Sequence, residues 1–241
     1  MNPQFRAAIL AASLLCLSAT MAAADGLTVL PVTIRMAPGQ MATSLTVKNE
    51  ADAPTSLQVR AFAWSQSTQG EERLEPTTEL MASPPICTIA AGANQVVRLV
   101  LRRPPQGREA SYRILLDQIP PPAAPGTVRI ALRLSIPIFA EPNGRALPHL
   151  RWRMETGGGQ PELVAANDGN RHEKVLDISL LAVDRSLPVE AGTSPYILPG
   201  ATRRWRISGP NPHLVPGTTL RLTARADAGE IDQSVSVVAG P

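Results

Sequence analysis

The sequence contains very little cysteine. The 241 residues include only two cysteines, Cys16 and Cys87. Cys16 lies in an apolar stretch near the N-terminus that we expect to be removed, which leaves Cys87 alone. A single thiol cannot form an internal disulfide, so the fold must rest on hydrophobic cores, which a chain of this length can bury in one or two domains. We expect Cys87 to be an ordinary small residue of a strand or loop.

Aromatic residues and lysines are also scarce. Aromatic residues make up 3% of the sequence, and Lys48 and Lys174 are the only lysines. The arginines are scattered along the chain, and the net charge is only +3. Nucleic-acid binding uses aromatic stacking platforms and clustered basic residues. We therefore expect no nucleic-acid partner.

Sequence motifs for catalysis, nucleotide binding and metal binding are missing. His149, His172 and His213 lie far apart, and none stands at a metal-ligand spacing from a cysteine or carboxylate. No G-x-S-x-G, P-loop or G-x-G-x-x-G motif occurs. The acidic pair Glu71 and Glu72 lies in the polar stretch STQGEERLEP, which we predict to be a solvated loop. We expect no metal, no cofactor and no enzymatic activity.

The N-terminus has the form of a secretory signal peptide. Arg6 supplies a basic start, residues 7–17 form an apolar run, and Ala22-Ala23-Ala24 fits a small-residue cleavage site. The apolar run is too short to be read as a membrane span, and no later run is longer. We predict that residues 1–24 are removed, that the protein is exported, and that it does not insert into a membrane.

The rest of the chain has the pattern of an all-β protein. Short apolar runs recur at intervals of roughly ten to fifteen residues between Pro, Gly, Asn and Asp, as in antiparallel sandwiches. The segment EPNGRALPH has the composition of a turn or linker. We predict a first sandwich domain over residues 25–140, a linker over 141–149 and a second sandwich domain over 150–241.

The stretch TVRIALRLSIPIFAEP, residues 127–142, shows the clearest periodicity. Its apolar residues alternate with mostly polar ones, which predicts a long β-strand with one apolar face. The pattern alone favours a face that packs on the protein's own core, and it leaves open a face that binds another molecule. The apolar positions are Val128, Ile130, Leu132, Leu134, Ile136 and Ile138.

Several segments together resemble one family in both order and spacing. The sequence is similar to the PapD-like periplasmic chaperones of chaperone–usher pilus assembly, and AFAWSQ and SIPIF resemble the archaic branch that serves Csu-type and spore-coat-protein-U-like pili. The resemblance implies two immunoglobulin-like sandwiches at an angle with a cleft between them. The matching segments are LTVLPVTIRMAPGQMATSLTVKN, AFAWSQ, ASPPICTIAAGANQVVRL, SYRILLDQIP and ALRLSIPIFAEP.

The resemblance changes the interpretation of the periodic strand. In this family the last strand of the first domain completes the sandwich of a pilus subunit, which is donor-strand complementation. By position, Val128, Ile130, Leu132 and Leu134 would be the donated residues. Ile136 and Ile138 would face the chaperone's own core.

The resemblance also implies a basic anchor in the cleft that binds the terminal carboxylate of the subunit. In the branch that contains PapD, an arginine on the first strand and a lysine on the donor strand have this role. Those positions fall on Thr33 and Pro137 here, and neither is a cation. Arg98 in VVRL and Arg113 in SYR are our candidates instead, since a guanidinium matches a carboxylate in geometry.

An arginine in these motifs can equally be solvated or paired within the protein, and Arg35 and Arg60 are weaker candidates. The implied partners are pilus or coat-type subunits and an outer-membrane usher. An unloaded donor strand also invites self-association, because an unguarded strand edge tends to pair. The alternatives from other classes are a structural pilus or coat subunit and a secreted sandwich enzyme.

Overall fold

The structure of the protein is a computed structural model, and the named secondary-structure elements of the residues it describes are all β-strands. No helix that could cross a membrane occurs among those residues. The described residues are 26–122, 126, 130–157, 159–183, 185–190, 192, 194–208 and 214–240. The predicted signal peptide lies outside them.

Ten strands in the first half of the chain form two facing sheets. One sheet has the order β1-β3-β8-β6, and the other has the order β2-β10-β9-β4-β5, with β7 also paired to β4. The strands are β1 (Leu27–Leu30), β2 (Ile34–Met36), β3 (Ala42–Asn49), β4 (Thr55–Gln66), β5 (Glu72–Pro76), β6 (Leu80–Ser83), β7 (Ile86–Ile89), β8 (Asn94–Leu101), β9 (Ala110–Ile119) and β10 (Arg133–Ala140).

Alternation within the strands explains how the two sheets share a core. In β8, Val97, Leu99 and Leu101 are buried, and the residues between them are exposed. Such a period of two places every second side chain on the inner face. The last strand follows the same rule, because Ile136 and Ile138 pack in this core. This confirms the prediction that both residues face the protein's own core.

The second half of the chain forms an eight-stranded sheet that folds over itself. Its last strand, β18, pairs with β17 as far as Ser236 and with β11 from Val237 onward. A single strand thus joins both layers of this sandwich, whose core includes Met154, Leu222 and Trp205. The strands are β11 (Leu150–Thr156), β12 (Glu162–Asn167), β13 (Glu173–Leu181), β14 (Ser186–Leu187), β15 (Tyr196–Ile197), β16 (Thr202–Arg206), β17 (Thr219–Ala226) and β18 (Gly229–Ala239).

An aromatic cluster joins the two halves. Trp64 and Phe139 from the outer face of the second sheet pack with Tyr196, and the ring centroids of Phe139 and Tyr196 are 5.1 Å apart. His172 stacks on Phe139, and its Nδ1 lies 2.7 Å from Oε1 of Glu109, with both side chains almost fully buried. Packed rings and a buried polar contact thus connect the two sandwiches.

Two predictions about local structure differ from what is observed. The stretch that includes Glu71 and Glu72 is not only a solvated loop, because Glu72 begins the exposed edge strand β5. The strand predicted to start at residue 127 starts at Arg133. Its partner β9 ends at Ile119 and is followed by Pro120, which cannot donate a ladder hydrogen bond, so the regular β10–β9 ladder stops close to this point.

Candidate functional site

The strand β10 carries an open edge within the described part of the chain. It pairs with β9 over its whole length, from Arg133 to Ala140. On its other side it pairs with β2 only from Ile138 to Ala140. The stretch from Arg133 to Pro137 therefore presents one row of backbone groups to which another strand can add.

The register shows which backbone groups point to this edge. Gln118 N donates to Leu132 O at 2.9 Å, so Leu132 and the alternate residues after it direct their backbone groups toward β9. Arg133, Ser135 and Pro137 then direct theirs toward the open edge. A proline is tolerated there, because its missing N–H costs no hydrogen bond within the sheet.

Two of the predicted donor residues stand in solvent beside this edge. Ile130 is 89% exposed and Leu132 is 38% exposed. Leu134 is half-buried and packs against the core of the first sandwich. Val128 lies outside the described residues. Along the apolar row, Ile136 is therefore buried in the core of the first sandwich, whereas Ile130 is exposed to solvent.

The two positions that carry cations in the PapD branch have other contacts here. Thr33 Oγ1 lies 3.3 Å from the Tyr196 hydroxyl, across the junction of the two halves. Pro137 is buried and lies opposite Arg113 in the β10–β9 register. The cation at this level of the sheet is Arg113, which belongs to β9 and not to β10.

Arg113 lies at the junction of the two halves. Its guanidinium carbon is 3.8 Å from the centre of the Trp64 ring, which is a cation–π arrangement. Its Nη2 lies 3.9 Å from Oε2 of Glu72, and the arginine side chain is only 12% exposed. Burial lowers the pKa of Arg113, and the attraction of Glu72 offsets only part of this effect.

The other arginine candidates do not join Arg113. Arg98 is exposed on β8, in the four-stranded sheet, whereas Arg113 is on the outer face of the opposite sheet. This position corrects the grouping of Arg98 with Arg113 as cleft residues. Arg60 pairs with Asp117 at 2.7 Å, and Arg35 pairs with Asp227 in the second half. Both therefore already have carboxylate partners.

A second buried arginine, which the sequence analysis did not identify, approaches the same glutamate. Arg203 of β16 has a side chain that is 6% exposed, and its Nη1 lies 3.7 Å from Oε1 of Glu72. Its Nη2 donates to Ser194 O at 2.8 Å. The sequence shows Arg203 only as one of three cations in RRWR, so its burial at the junction could not be read from it.

The remaining chemistry of the described residues is modest. No group of three or more His, Cys, Asp or Glu side chains that could hold a metal ion occurs among them. Cys87 is a half-buried free thiol in β7, and burial raises its pKa. What is assembled is an open strand edge, an exposed apolar row and buried arginines. These features suit the binding of another polypeptide chain.

Comparison with known proteins places this architecture in a family. The family model described as pili and flagellar-assembly chaperone, PapD N-terminal domain, matches residues 26–146. The chain belongs to this family, and both the family and the fold are those of non-enzymatic pilus-assembly chaperones. Comparison with curated protein sequences gives no significant match.

Solved structures show the same two-domain fold. A chain of the CsuC–CsuE chaperone–tip adhesion subunit pre-assembly complex, from archaic chaperone–usher Csu pili of Acinetobacter baumannii, is 22% identical with a TM-score of 0.65, covering 90% of this chain and 100% of that chain. The YadV chaperone is 18% identical with a TM-score of 0.63, covering 88% and 100%.

A chain of the Salmonella enterica SafA pilin–SafB chaperone complex is 15% identical with a TM-score of 0.58, covering 89% of this chain and 97% of that chain. These similarities extend over both halves of the molecule. They confirm the prediction of two immunoglobulin-like β-sandwich domains.

Proposed function

We propose that this chaperone binds pilus or coat-type subunits by donor-strand complementation and delivers them to an outer-membrane usher. The archaic, Csu-type branch is the one to which we assign it, on the basis of AFAWSQ and SIPIF. The periplasm is the proposed site of action, because the first residues have the form of a signal peptide. Both similar complexes contain a chaperone with a subunit.

The observation that carries this proposal is the exposed apolar row beside an open strand edge. Ile130 and Leu132 continue the row of Ile136 and Ile138, but they lie outside the core of the first sandwich. An incoming subunit with an incomplete sandwich could bury these side chains and pair with the free backbone groups. This is strand addition, in which main-chain hydrogen bonds supply affinity and alternate side chains supply specificity.

The apolar row is large enough to hold a partner. A fully buried large aliphatic side chain contributes about 1.5–3 kcal/mol. Because Ile130 is exposed in the unloaded protein, nearly all of its contribution is still available for binding, and part of that of Leu132 is available as well. Val128 is expected to contribute about as much as Ile130. The sum is about 3–7 kcal/mol before the costs of association and ordering are subtracted. Backbone pairing adds a further favourable contribution.

Arg113 is our candidate anchor for the terminal carboxylate of the subunit. It lies one strand away from the open edge, opposite Pro137, and it is held in orientation by the Trp64 ring. Arg98, on the other sheet, is not part of this proposal. A guanidinium that stacks on an aromatic ring keeps its in-plane N–H groups free to donate at its edge.

The unloaded protein is expected to cover its open edge by pairing with a second copy. The exposed Ile130 and the free backbone groups of Ser135 favour such pairing. Sedimentation of wild-type protein and of Ile130→Asp across a range of concentrations tests this. A dimer that persists unchanged in the variant would show that another surface is responsible.

Co-expression with a coat- or pilin-like subunit in the periplasm, followed by pull-down, tests the proposed function. Wild type is compared with the double variant Ile130→Asp with Leu132→Asp. Val183→Asp is the matched control, because Val183 is equally exposed but lies in the second half. We expect wild type and the control to recover soluble subunit, and the folded double variant to recover none.

Either of two other results would contradict this proposal. If the double variant folds and recovers as much subunit as wild type, the segment is not the donor. If the double variant unfolds, these residues serve the protein's own core, contrary to their exposure.

A further inference from the structure

The proposed donor residues lie just beyond the end of a regular ladder. The register between β10 and β9 ends where Arg133 lies opposite Asp117, and Ile130 and Leu132 come before this point. A shift of one residue along a strand moves every side chain to the other face. Such a shift would present Ala131 and Arg133 to a subunit in place of the apolar pair. The register of this short segment therefore decides whether it can act as a donor.

Gln118 of β9 binds Leu132 through both its backbone and its side chain. The backbone N–H of Gln118 donates to Leu132 O at 2.9 Å, and its side-chain Oε1 accepts from Leu132 N at 3.2 Å. In a regular antiparallel pair the second of these bonds would go to the backbone carbonyl. Here a side-chain amide takes the place of that carbonyl. The N–H and the C=O of Leu132 are thus both bound to one residue.

The preceding residue of β9 binds the next residue of the same segment. Asp117 accepts a hydrogen bond from Arg133 Nε on its Oδ1, and one from Arg60 Nη2 on its Oδ2 at 2.7 Å. Arg60 belongs to β4, so these contacts join three strands. Consecutive residues of a strand point to opposite faces. Gln118 and Asp117 therefore fix Leu132 and Arg133 from the two faces of the sheet.

These contacts order a segment that contributes little to the core of its own sandwich. Ile130 is 89% exposed and Leu132 is 38% exposed in the unloaded protein. Fixing their backbone has an entropic cost, which so little burial does not offset before a partner is bound. A segment that is already ordered lowers the cost of association, which is the effect of preorganisation. The gain from Gln118 is therefore expected in binding and not in the stability of the fold.

We propose that Gln118 is a positioning residue that holds Leu132 extended and in register, so that Ile130 and Leu132 face an incoming subunit before it arrives. The inference rests on the proposed donor role of these two residues and assigns the side chain that sets their register. Asp117 supports Gln118 by holding Arg133 on the opposite face. Without the side-chain acceptor of Gln118, the segment before Arg133 loses its order in the unloaded protein.

The first test uses the whole mature protein without a subunit, at a concentration where it is monomeric. Amide hydrogen exchange at Leu132 and the heteronuclear NOE at Ile130 are measured by NMR. Gln118→Leu keeps the approximate size of the side chain and removes its acceptor, whereas Gln118→Glu keeps an acceptor oxygen. Gln58→Leu is the control, because Gln58 is exposed on β4 opposite Asp117 and undergoes the same chemical change.

We expect the Leu132 N–H to exchange about tenfold faster in Gln118→Leu, because the loss of one hydrogen bond changes an opening equilibrium by about this factor. The NOE at Ile130 should fall in the same variant, while the urea midpoint stays that of wild type. Gln118→Glu should restore both values, and Gln58→Leu should leave them unchanged. If Gln118→Leu fails to fold, Gln118→Ala, compared with Gln58→Ala, should give the same increase in exchange.

The second test dilutes a coat- or pilin-like subunit from denaturant into wild-type or variant chaperone and follows complex formation with time. Gln118→Leu should form the complex about tenfold more slowly, because a smaller fraction of the chaperone is competent to bind. The complex should then dissociate at the wild-type rate, since the subunit itself holds the donor segment.

Unchanged exchange at Leu132 in Gln118→Leu would overturn the inference. An effect on dissociation alone would also overturn it, because Gln118 would then be a contact of the subunit and not a positioning residue. A chaperone that captures subunits although Leu132 exchange ignores Gln118 contradicts only the inference. A chaperone that shows the predicted exchange but captures no subunit contradicts only the proposed function.

Discussion

Ile130→Ala separates the binding of a subunit from the stability of the chaperone. Ile130 is 89% exposed in the unloaded protein, so almost all of its burial remains to be gained in a complex. The substitution removes three carbons, at about 0.8 kcal/mol for each one buried. The expected loss is about 2.4 kcal/mol, which is about 60-fold in the dissociation constant at 25 °C.

The stability of the unloaded protein should hardly respond. Exposed positions away from special features usually change the free energy of unfolding by less than about 0.5 kcal/mol. Ile136→Ala is the matched control, further along the same row of alternating apolar residues. Ile136 is 5% exposed in the core of the first sandwich, so we expect its truncation to cost about 2–5 kcal/mol of stability.

The assay has two parts. Urea unfolding followed by circular dichroism gives the stability of each variant. Competition between tagged wild type and untagged variant for a limiting amount of subunit gives relative affinity. The reasoning would be refuted if Ile130→Ala lowered stability as much as Ile136→Ala, or if it bound the subunit as tightly as wild type.

Three further predictions concern the packing at the junction of the two halves and the pH dependence of stability. Phe139→Ala should cost about 3–5 kcal/mol, because its ring is fully buried between Trp64, Tyr196 and His172, and a loss below about 1 kcal/mol in urea unfolding would contradict the packing described. Burial alone would raise the pKa of Asp117, but hydrogen bonds from Arg133 and Arg60 outweigh it and lower the pKa. The ionised carboxylate therefore stabilises the fold above about pH 4, and this contribution is lost as the pH falls through its lowered pKa. The free energy of unfolding of Asp117→Asn should consequently decline less steeply with falling pH than that of wild type. An unchanged acid profile would argue against the ion pairs. Burial, with the nearby Glu79, raises the pKa of Tyr112 to about 12. The unfolded chain loses this proton near pH 10, so stability should fall between about pH 10 and pH 12, and an ultraviolet titration in which Tyr112→Phe removes no late-ionising phenol would contradict this.

Much of the fold could be predicted from alternation along the sequence. Runs such as NQVVRLVLR and TTLRLTARAD have a period of two, and each became a strand with one buried face. The strand β5 was missed because none of its residues is buried, so no apolar row marks it. An edge strand held by backbone pairing alone leaves little signal in a sequence.

The candidate site could be predicted only in part. The pattern at residues 127–142 marked an apolar row, but alternation could not show where that row leaves the home core. That point depends on where β9 ends and on how far β2 reaches along β10. The meeting of Arg113, Arg203 and Glu72 depends on the packing of two sandwiches, and residues from three separate strands carry no local sign of it in the sequence.

Amide hydrogen exchange at Ser135 tests the central claim most directly. In the unloaded protein the Ser135 N–H faces the open edge of β10, whereas the N–H of Leu134, its neighbour, faces β9. We expect Ser135 to exchange quickly in the free monomer and to become strongly protected when a co-expressed subunit is bound, while Leu134 is protected in both states. If Ser135 remains unprotected in a complex that is shown to be intact, the subunit does not pair with β10, and donor-strand complementation by this edge is wrong.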